Sequence, residues 1–312
     1  MKSERLWRPA AGERVFQWLV TMMALGVVAL IFIIGRELAH GSQPALRRFG
    51  WRFLTGAEWD PVSEQFGALP FIFGTVVSSA IALAIAVPPS IGTAVFLTEL
   101  APRWLRQALS LFIELLAAVP SVILGLWGIF VMVPWLREYL FPLLRITLGF
   151  LPLFQGPIYG VSMLAGGIII AIMIVPIITS VSREVLRSVP ESQREAAYAL
   201  GATRWEATRI AVLTYAKKGL LGAVILGLGR ALGETMAVTM VIGNRPEIAA
   251  SLFAPGYTLA SVVANEFTET PPGIHLEALF ELGLVLLGIT LLVNALARLL
   301  LGTLPGPAVS PS

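Results

Sequence analysis

The chain has 312 residues, 56% of them hydrophobic and only 13% charged, with a mean hydropathy of +0.82. A soluble domain carries roughly 25% charged residues, so the composition excludes an ordinary soluble enzyme and predicts an all-α integral membrane protein. The net charge of +3 fits loop Lys and Arg beside anionic headgroups, not a nucleic-acid surface.

Six apolar runs predict about six membrane-spanning helices, at 15–35, 71–97, 108–134, 160–180, 219–243 and 277–301. Residues 1–14 form an N-terminal tail, 15–302 the transmembrane domain and 303–312 a proline-rich, disordered tail. The first run follows Lys2, Arg5, Arg8 and Arg14, as a signal peptide would. Its apolar core is too long for one, so it reads as an uncleaved span. With the N-terminus inside, the cytoplasmic side carries fourteen Lys and Arg and the outer side seven. That asymmetry places both termini of a multi-pass membrane protein in the cytoplasm.

In chain order, Pro88, Pro89, Pro120 and Pro176 mark bends in spans. Glu114 opens the third span, free to snorkel or to pair with Arg106. Segment 135–158, with prolines at 142, 152 and 157, reads as an interfacial connector, not a seventh span. Segment 245–275 is polar and reads as an outer loop.

The loop at 181–218 has strong local grammar. Ser188-Val-Pro190-Glu191 offers an N-cap, an early proline and a capping glutamate, predicting a helix that stops at Gly201. Thr203-Arg-Trp-Glu206 is a second capping box. Two short helices bent at glycine make a cytoplasmic knob. Ala196, Ala197 and Ala199 keep it slim, and Glu195 offers a carboxylate. Such a knob is either an amphipathic connector on the headgroups or a docking element for a soluble partner.

In the fifth run Arg230 and Glu234 stand at i and i+4, on one helix face. An arginine at the bilayer centre costs about 2.5–3.5 kcal/mol on insertion scales, so it must face protein or a water-filled path. Two readings stay open: an ion pair that locks the bundle, or a guanidinium fork for an oxyanion, tempered by a carboxylate so that the solute can leave. Thr235 and Thr239 are candidate path-lining residues, although hydroxyls in spans commonly bond their own backbone. Gly229 and Gly233 have the spacing that lets another helix approach closely.

Glu195-Ala-Ala-x-x-x-Gly201 matches the EAA motif of ABC-importer permeases, whose loop docks the ATPase. The family pattern continues, nine residues on, with Ile-x-Leu-Pro. Here those positions read Ala211, Val212, Leu213 and Thr214, so the usual proline kink is missing. Phe96-Leu-Thr-Glu-Leu-Ala-Pro102, Val119-Pro-Ser-Val-Ile-Leu-Gly-Leu-Trp-Gly128 and Gly229-Arg-Ala-Leu-Gly-Glu-Thr-Met-Ala-Val238 resemble the phosphate-specific permeases of the PstC type. That resemblance implies a type I ABC-importer permease fold, with five core spans and the first outside them.

It also implies the partners: a second permease of the PstA type, an ATPase dimer and an external phosphate-binding protein, with phosphate as solute in a lipid bilayer. Glu195, Ala196, Ala197 and Gly201 would couple to the ATPase. ATP would be bound by that partner, since the chain has no G-x-x-x-x-G-K-[ST] loop. The chain itself is no enzyme, with no catalytic residue, cofactor or metal. The rivals are a permease for sulfate or molybdate, and a secondary transporter or anion channel, for which no internal inverted repeat is visible.

Overall fold

In the computed structural model, residues 11–303 are described; residues 1–10 and 304–312, and with them most of both predicted tails, lie outside that range. Six helices are long and apolar enough to cross a membrane: Val15–Gly41, Leu69–Leu100, Ser121–Leu148, Met163–Arg187, Arg204–Leu232 and Ile274–Thr303. The fourth is the hub. Ile169, Ile170, Ile174 and Ile178 are buried on it, packed among side chains from the second, third and fifth spans. The first span is exposed along its length and rests on the sixth, where Gly41 faces the Phe280 ring and Gly283 faces Leu38.

The third span departs from the sequence reading at both ends. Val119 and Pro120 are extended, so Arg103–Ala118 is a separate, wholly unburied surface helix and the span starts only at Ser121. Pro120 sets that break, because its ring disfavours α-conformation at the residue before it. At the other end the helix runs on to Leu148, taking in much of the predicted connector. Wider turns at Gly128–Met132 and Leu136–Leu140 precede Pro134 and Pro142 closely enough to absorb the missing amide donors. Glu114 pairs with Arg183 at 3.3 Å, not with Arg106, whose guanidinium donates to the carbonyls of Thr98 and Ala101.

Segment 245–275 is no simple loop. It folds back against the bundle and carries a helix, Leu259–Glu266, with Leu259, Ala260, Ser261 and Val262 buried. The start of the fourth span explains why. Its first amides would be orphaned, and they are satisfied in turn: Met163 N–H donates to Ala254, Leu164 N–H to Leu252, and Ala165 N–H to the Ser162 hydroxyl. Leu252 N–H donates to Leu153, tying the segment to the short turn Pro152–Phe154.

The same segment is fixed to the second span by contact too close for a side chain. A Cβ at Gly74 would overlap the Tyr257 carbonyl, and the next residue places Thr75 Oγ1 2.9 Å from Leu259 N–H as its acceptor. Gly74→Ala is therefore expected to destabilise by about 1–3 kcal/mol, the usual cost of overpacking. A lower thermal unfolding midpoint of the purified protein checks it. Beside this joint, Glu266 accepts from the Trp59 indole, the Tyr257 phenol and His275, joining the hairpin Trp59–Asp60 and Gln65–Phe66 to the start of the sixth span. Burial pushes the Tyr257 phenol above its ordinary range.

Candidate functional site

The fifth span is two helices, not one. Arg204–Leu232 ends at Gly233, and the chain resumes as Met236–Ile242. Gly233 and Thr235 leave helical geometry between them, with Thr235 at φ −110° and ψ −72°. Glycine costs roughly 1 kcal/mol relative to alanine inside a helix, and Gly229 and Gly233 concentrate that weakness here. The predicted i, i+4 arrangement on an unbroken helix is thus corrected, although Arg230 Nη2 and Glu234 Oε2 remain 3.9 Å apart.

The break lies deep in the bundle. Below it Gly227 faces Ile174 and Ile178 of the fourth span; above it Val241 and Ile169 meet at Gly128. Glu234 therefore sits level with the middle of Met163–Arg187. Its side chain is 7% exposed, while that of Arg230 is 46% exposed. The Thr235 and Ala237 amides and the Ser121 hydroxyl face its carboxyl group. The start of the third span and the break in the fifth thus meet around one carboxylate, with a guanidinium at the open side.

Thr239 spends its hydroxyl on the Thr235 carbonyl, at 2.8 Å. Thr235 is half-buried beside Glu234. The expected approach of another helix at Gly229 and Gly233 does not occur within the chain: a Cβ at Gly229 meets nothing within 4 Å among the described residues. Gly227 is the close-packed glycine, against Ile178.

At one end of the bundle the knob projects as Glu191–Ala199 and Arg204–Ala207. Gly201 joins them at φ +83°, a left-handed conformation that suits glycine. Thr203 and Glu206 form the predicted capping box, with the Glu206 carboxyl accepting from both the backbone N–H and the hydroxyl of Thr203. Ser188 does not cap the first knob helix. It closes the fourth span and donates to the Val185 carbonyl, because Pro190 adopts an extended conformation and is itself the residue before the helix. Glu195, Ala196 and Gly201 are exposed and Ala197 is half-buried. Tyr198, Leu200 and Trp205 expose 46%, 90% and 55% of their surface, an apolar tip with no cover among the described residues.

Arg194 holds this knob to the bundle, and sequence reasoning missed it. Its guanidinium lies 2.9 Å from Glu99 at the end of the second span, with side-chain exposures of 12% and 9%. It also donates to the Val189 and Leu186 carbonyls at the end of the fourth span. Glu99 beside it raises the Arg194 pKa further. One cation therefore fastens three elements. The available signal was Glu99 within Phe96–Pro102, a carboxylate at a span end whose nearest basic residue in sequence, Arg103, lies beyond Pro102.

A bundle around a buried fourth span, with a knob at one end and a broken fifth span at mid-depth, is the architecture of an importer permease of the type I fold. A bacterial ABC transporter involved in import of the acidic polysaccharide alginate matches with a TM-score of 0.57, covering 95% of this chain and 99% of its own, at 18% identity. An inward-facing MetNI methionine ABC transporter matches at 0.55, covering 78% and 98%, at 15% identity. The chain belongs to the family of binding-protein-dependent transport system inner membrane components, whose model matches residues 90–303, and is of the PstC type. The phosphate transport system permease protein PstC of Mesorhizobium japonicum is 47% identical over 298 residues, 94% of this chain and 91% of its own. That of Haemophilus influenzae is 47% identical over 304 residues, 96% of both chains, and PstC 2 of Mycobacterium tuberculosis is 42% identical over 95% of this chain and 94% of its own.

Proposed function

We propose that this chain is the permease subunit of an ATP-driven phosphate importer, with its knob and both termini in the cytoplasm. The observation that carries the reading is the mid-depth break, where the half-exposed Arg230 stands beside the buried Glu234. A guanidinium fork matches two oxygens of a tetrahedral oxyanion at once. Glu234 limits how tightly the anion is held, so the site releases its solute. The similarity to phosphate transport system permeases favours phosphate over sulfate or molybdate.

In this reading the open face at Gly229 and Arg230 receives a second permease of the PstA type, and an external phosphate-binding protein delivers the solute. An ATPase dimer binds the ATP and grips the knob at Glu195, Ala196, Ala197 and Gly201, with the apolar tip at Leu200 entering its groove. Closure of the ATPases moves the knob, Arg194 passes the movement to the second and fourth spans, and phosphate passes Arg230. The chain performs no covalent step.

The test is uptake of labelled phosphate by the assembled complex in proteoliposomes, with excess sulfate or molybdate as competitor. Uptake that requires ATP and survives both competitors is the expected outcome. Uptake without ATP would instead mark a secondary transporter or channel, and loss of label to sulfate or molybdate would change the cargo.

A further inference from the structure

The chain is broken twice beside Glu234, once in the fifth span and once just before the third. Val119 and Pro120 are extended, and the Ser121 hydroxyl beyond them faces the Glu234 carboxyl. The helix before that break, Arg103–Ala118, climbs to it from the end of the bundle that carries the knob. Three ties mark the climb. Arg106 donates to the Thr98 and Ala101 carbonyls at the end of the second span. Glu114 pairs at 3.3 Å with Arg183, one turn inside the end of the fourth span. Ser121 then stands at Glu234, level with the middle of that span. The helix has 16 residues, about 24 Å at 1.5 Å per residue, enough to run from the membrane boundary to mid-depth.

Its side chains fall on three faces. Leu105, Leu109 and Ile113 are half-buried against the bundle. Trp104, Leu111, Phe112 and Leu115 make an exposed apolar stripe. Arg103, Gln107, Ser110 and Glu114, at i, i+4, i+7 and i+11, make a polar one. Arg103 and Gln107 are exposed, Ser110 is half-buried, and Glu114 is 61% exposed even with Arg183 beside it. A carboxylate at that depth is too costly to place against hydrocarbon, so it faces protein or water. The chain itself leaves it open, and the polar stripe that ends on it leads toward Ser121 and the break.

We propose that this polar stripe is a wall of the inward exit route, the water-filled passage by which the oxyanion leaves the Arg230–Glu234 break for the cytoplasm. The proposal rests on the importer reading and extends it to the half of the path below the break. The wall suits an anion that must be released. Arg183 offsets the charge of Glu114, so the solute meets no unbalanced carboxylate at that level. Gln107 and Ser110 offer neutral donors, and Arg103 places an exposed cation near the mouth. Neutral donors hold an anion weakly enough to let it pass. Gln107 and Ser110 thereby become lining residues of the solute path, on a helix that lies outside the third span proper.

The chain contains no cysteine, so a single substitution gives it one thiol. Gln107→Cys and Ser110→Cys probe the polar stripe, and Phe112→Cys and Leu115→Cys the apolar one, each in the assembled complex in proteoliposomes. Methanethiosulfonate ethylsulfonate, an anionic reagent that does not cross the bilayer, is loaded inside the vesicles with the ATP. Labelling is read as the mass shift of this chain. Thiols at 107 and 110 should react about tenfold faster than those at 112 and 115, because a hydrated thiol ionises more readily than one in apolar surroundings. The sulfonate left at 110 should cut phosphate uptake about tenfold against the same variant unlabelled, since it fixes an anion in the passage. Equal reactivity at all four positions, or faster reaction at 112 and 115, would overturn the proposal. So would uptake that is unchanged when the thiol at 110 is fully labelled. Failure of the importer reading shows separately, as absent phosphate uptake by the unlabelled wild type.

Discussion

Arg194→Ala is expected to cut phosphate uptake per ATP hydrolysed at least tenfold. The substitution strands Glu99, 9% exposed, without its partner, and removing one member of a buried pair costs about 3–5 kcal/mol. The Leu186 and Val189 carbonyls lose a donor at the same time. The harder question is whether the pair only stabilises or also transmits. Replacing both members by apolar residues of similar volume is often neutral for stability, so Glu99→Leu with Arg194→Met separates the two roles. The double variant should recover the wild-type thermal midpoint and still hydrolyse ATP without matching uptake. Uptake that returns together with stability would reduce the pair to a fold device.

The physical argument for transmission is that the knob has few other fastenings. Glu191–Ala199 buries no residue, and its tip at Leu200 is 90% exposed. Behind it, the second knob helix runs on into the fifth span, where Val212 is buried in one cluster with Ala94 and Val95 of the second span and Leu186 of the fourth. A force on the tip therefore reaches the fifth span along its own helix, and the second and fourth spans through Arg194 and through the packing at Val212. The uncommon Thr214, where the resembling family has proline, does not interrupt that route. The helix passes through a wider turn at Thr208–Val212 and is regular from Leu213.

What could be read from sequence, and what could not, divides along the range of the interactions. The spans were legible because hydropathy is a local sum, and the Thr203–Glu206 capping box because a cap involves four consecutive residues. Boundaries failed where one residue acts at a distance on helix continuity. Pro120 ends a helix that composition would carry through, while Pro142 sits harmlessly after a wider turn. Ser188 was misplaced because its side chain suits an N-cap and equally the last turn of the preceding helix, and only the backbone of Pro190 decides. The Glu99–Arg194 and Glu114–Arg183 pairs span 95 and 69 residues, beyond any pattern in one sequence. Burial of 245–275 followed from the need to satisfy the amides at Met163 and Leu164, a requirement that belongs to another part of the chain.

Arg230→Ala should lower phosphate uptake on the order of 10–100-fold at limiting phosphate, since hydrogen bonds to a charged group contribute about 1.5–3 kcal/mol. ATP hydrolysis by the complex should persist. The competing reading, a pair that merely locks the bundle, makes a different forecast. At 3.9 Å, with Arg230 46% exposed in the isolated chain, the pair has the geometry of weak ion pairs, which contribute about 0–1 kcal/mol. Structural loss should therefore be small. Arg230→Lys keeps the charge and removes the fork, so its uptake should fall between the wild type and alanine. Thr239→Val is the control beyond the break: its hydroxyl is already committed to the Thr235 carbonyl, and uptake should stay within about twofold of wild type. If Arg230→Ala transports normally and only the unfolding midpoint drops, the guanidinium is a strut, and the solute path runs elsewhere in the bundle. If Thr239→Val fails as badly as Arg230→Ala, the break itself is the sensitive element and the charge is incidental to it.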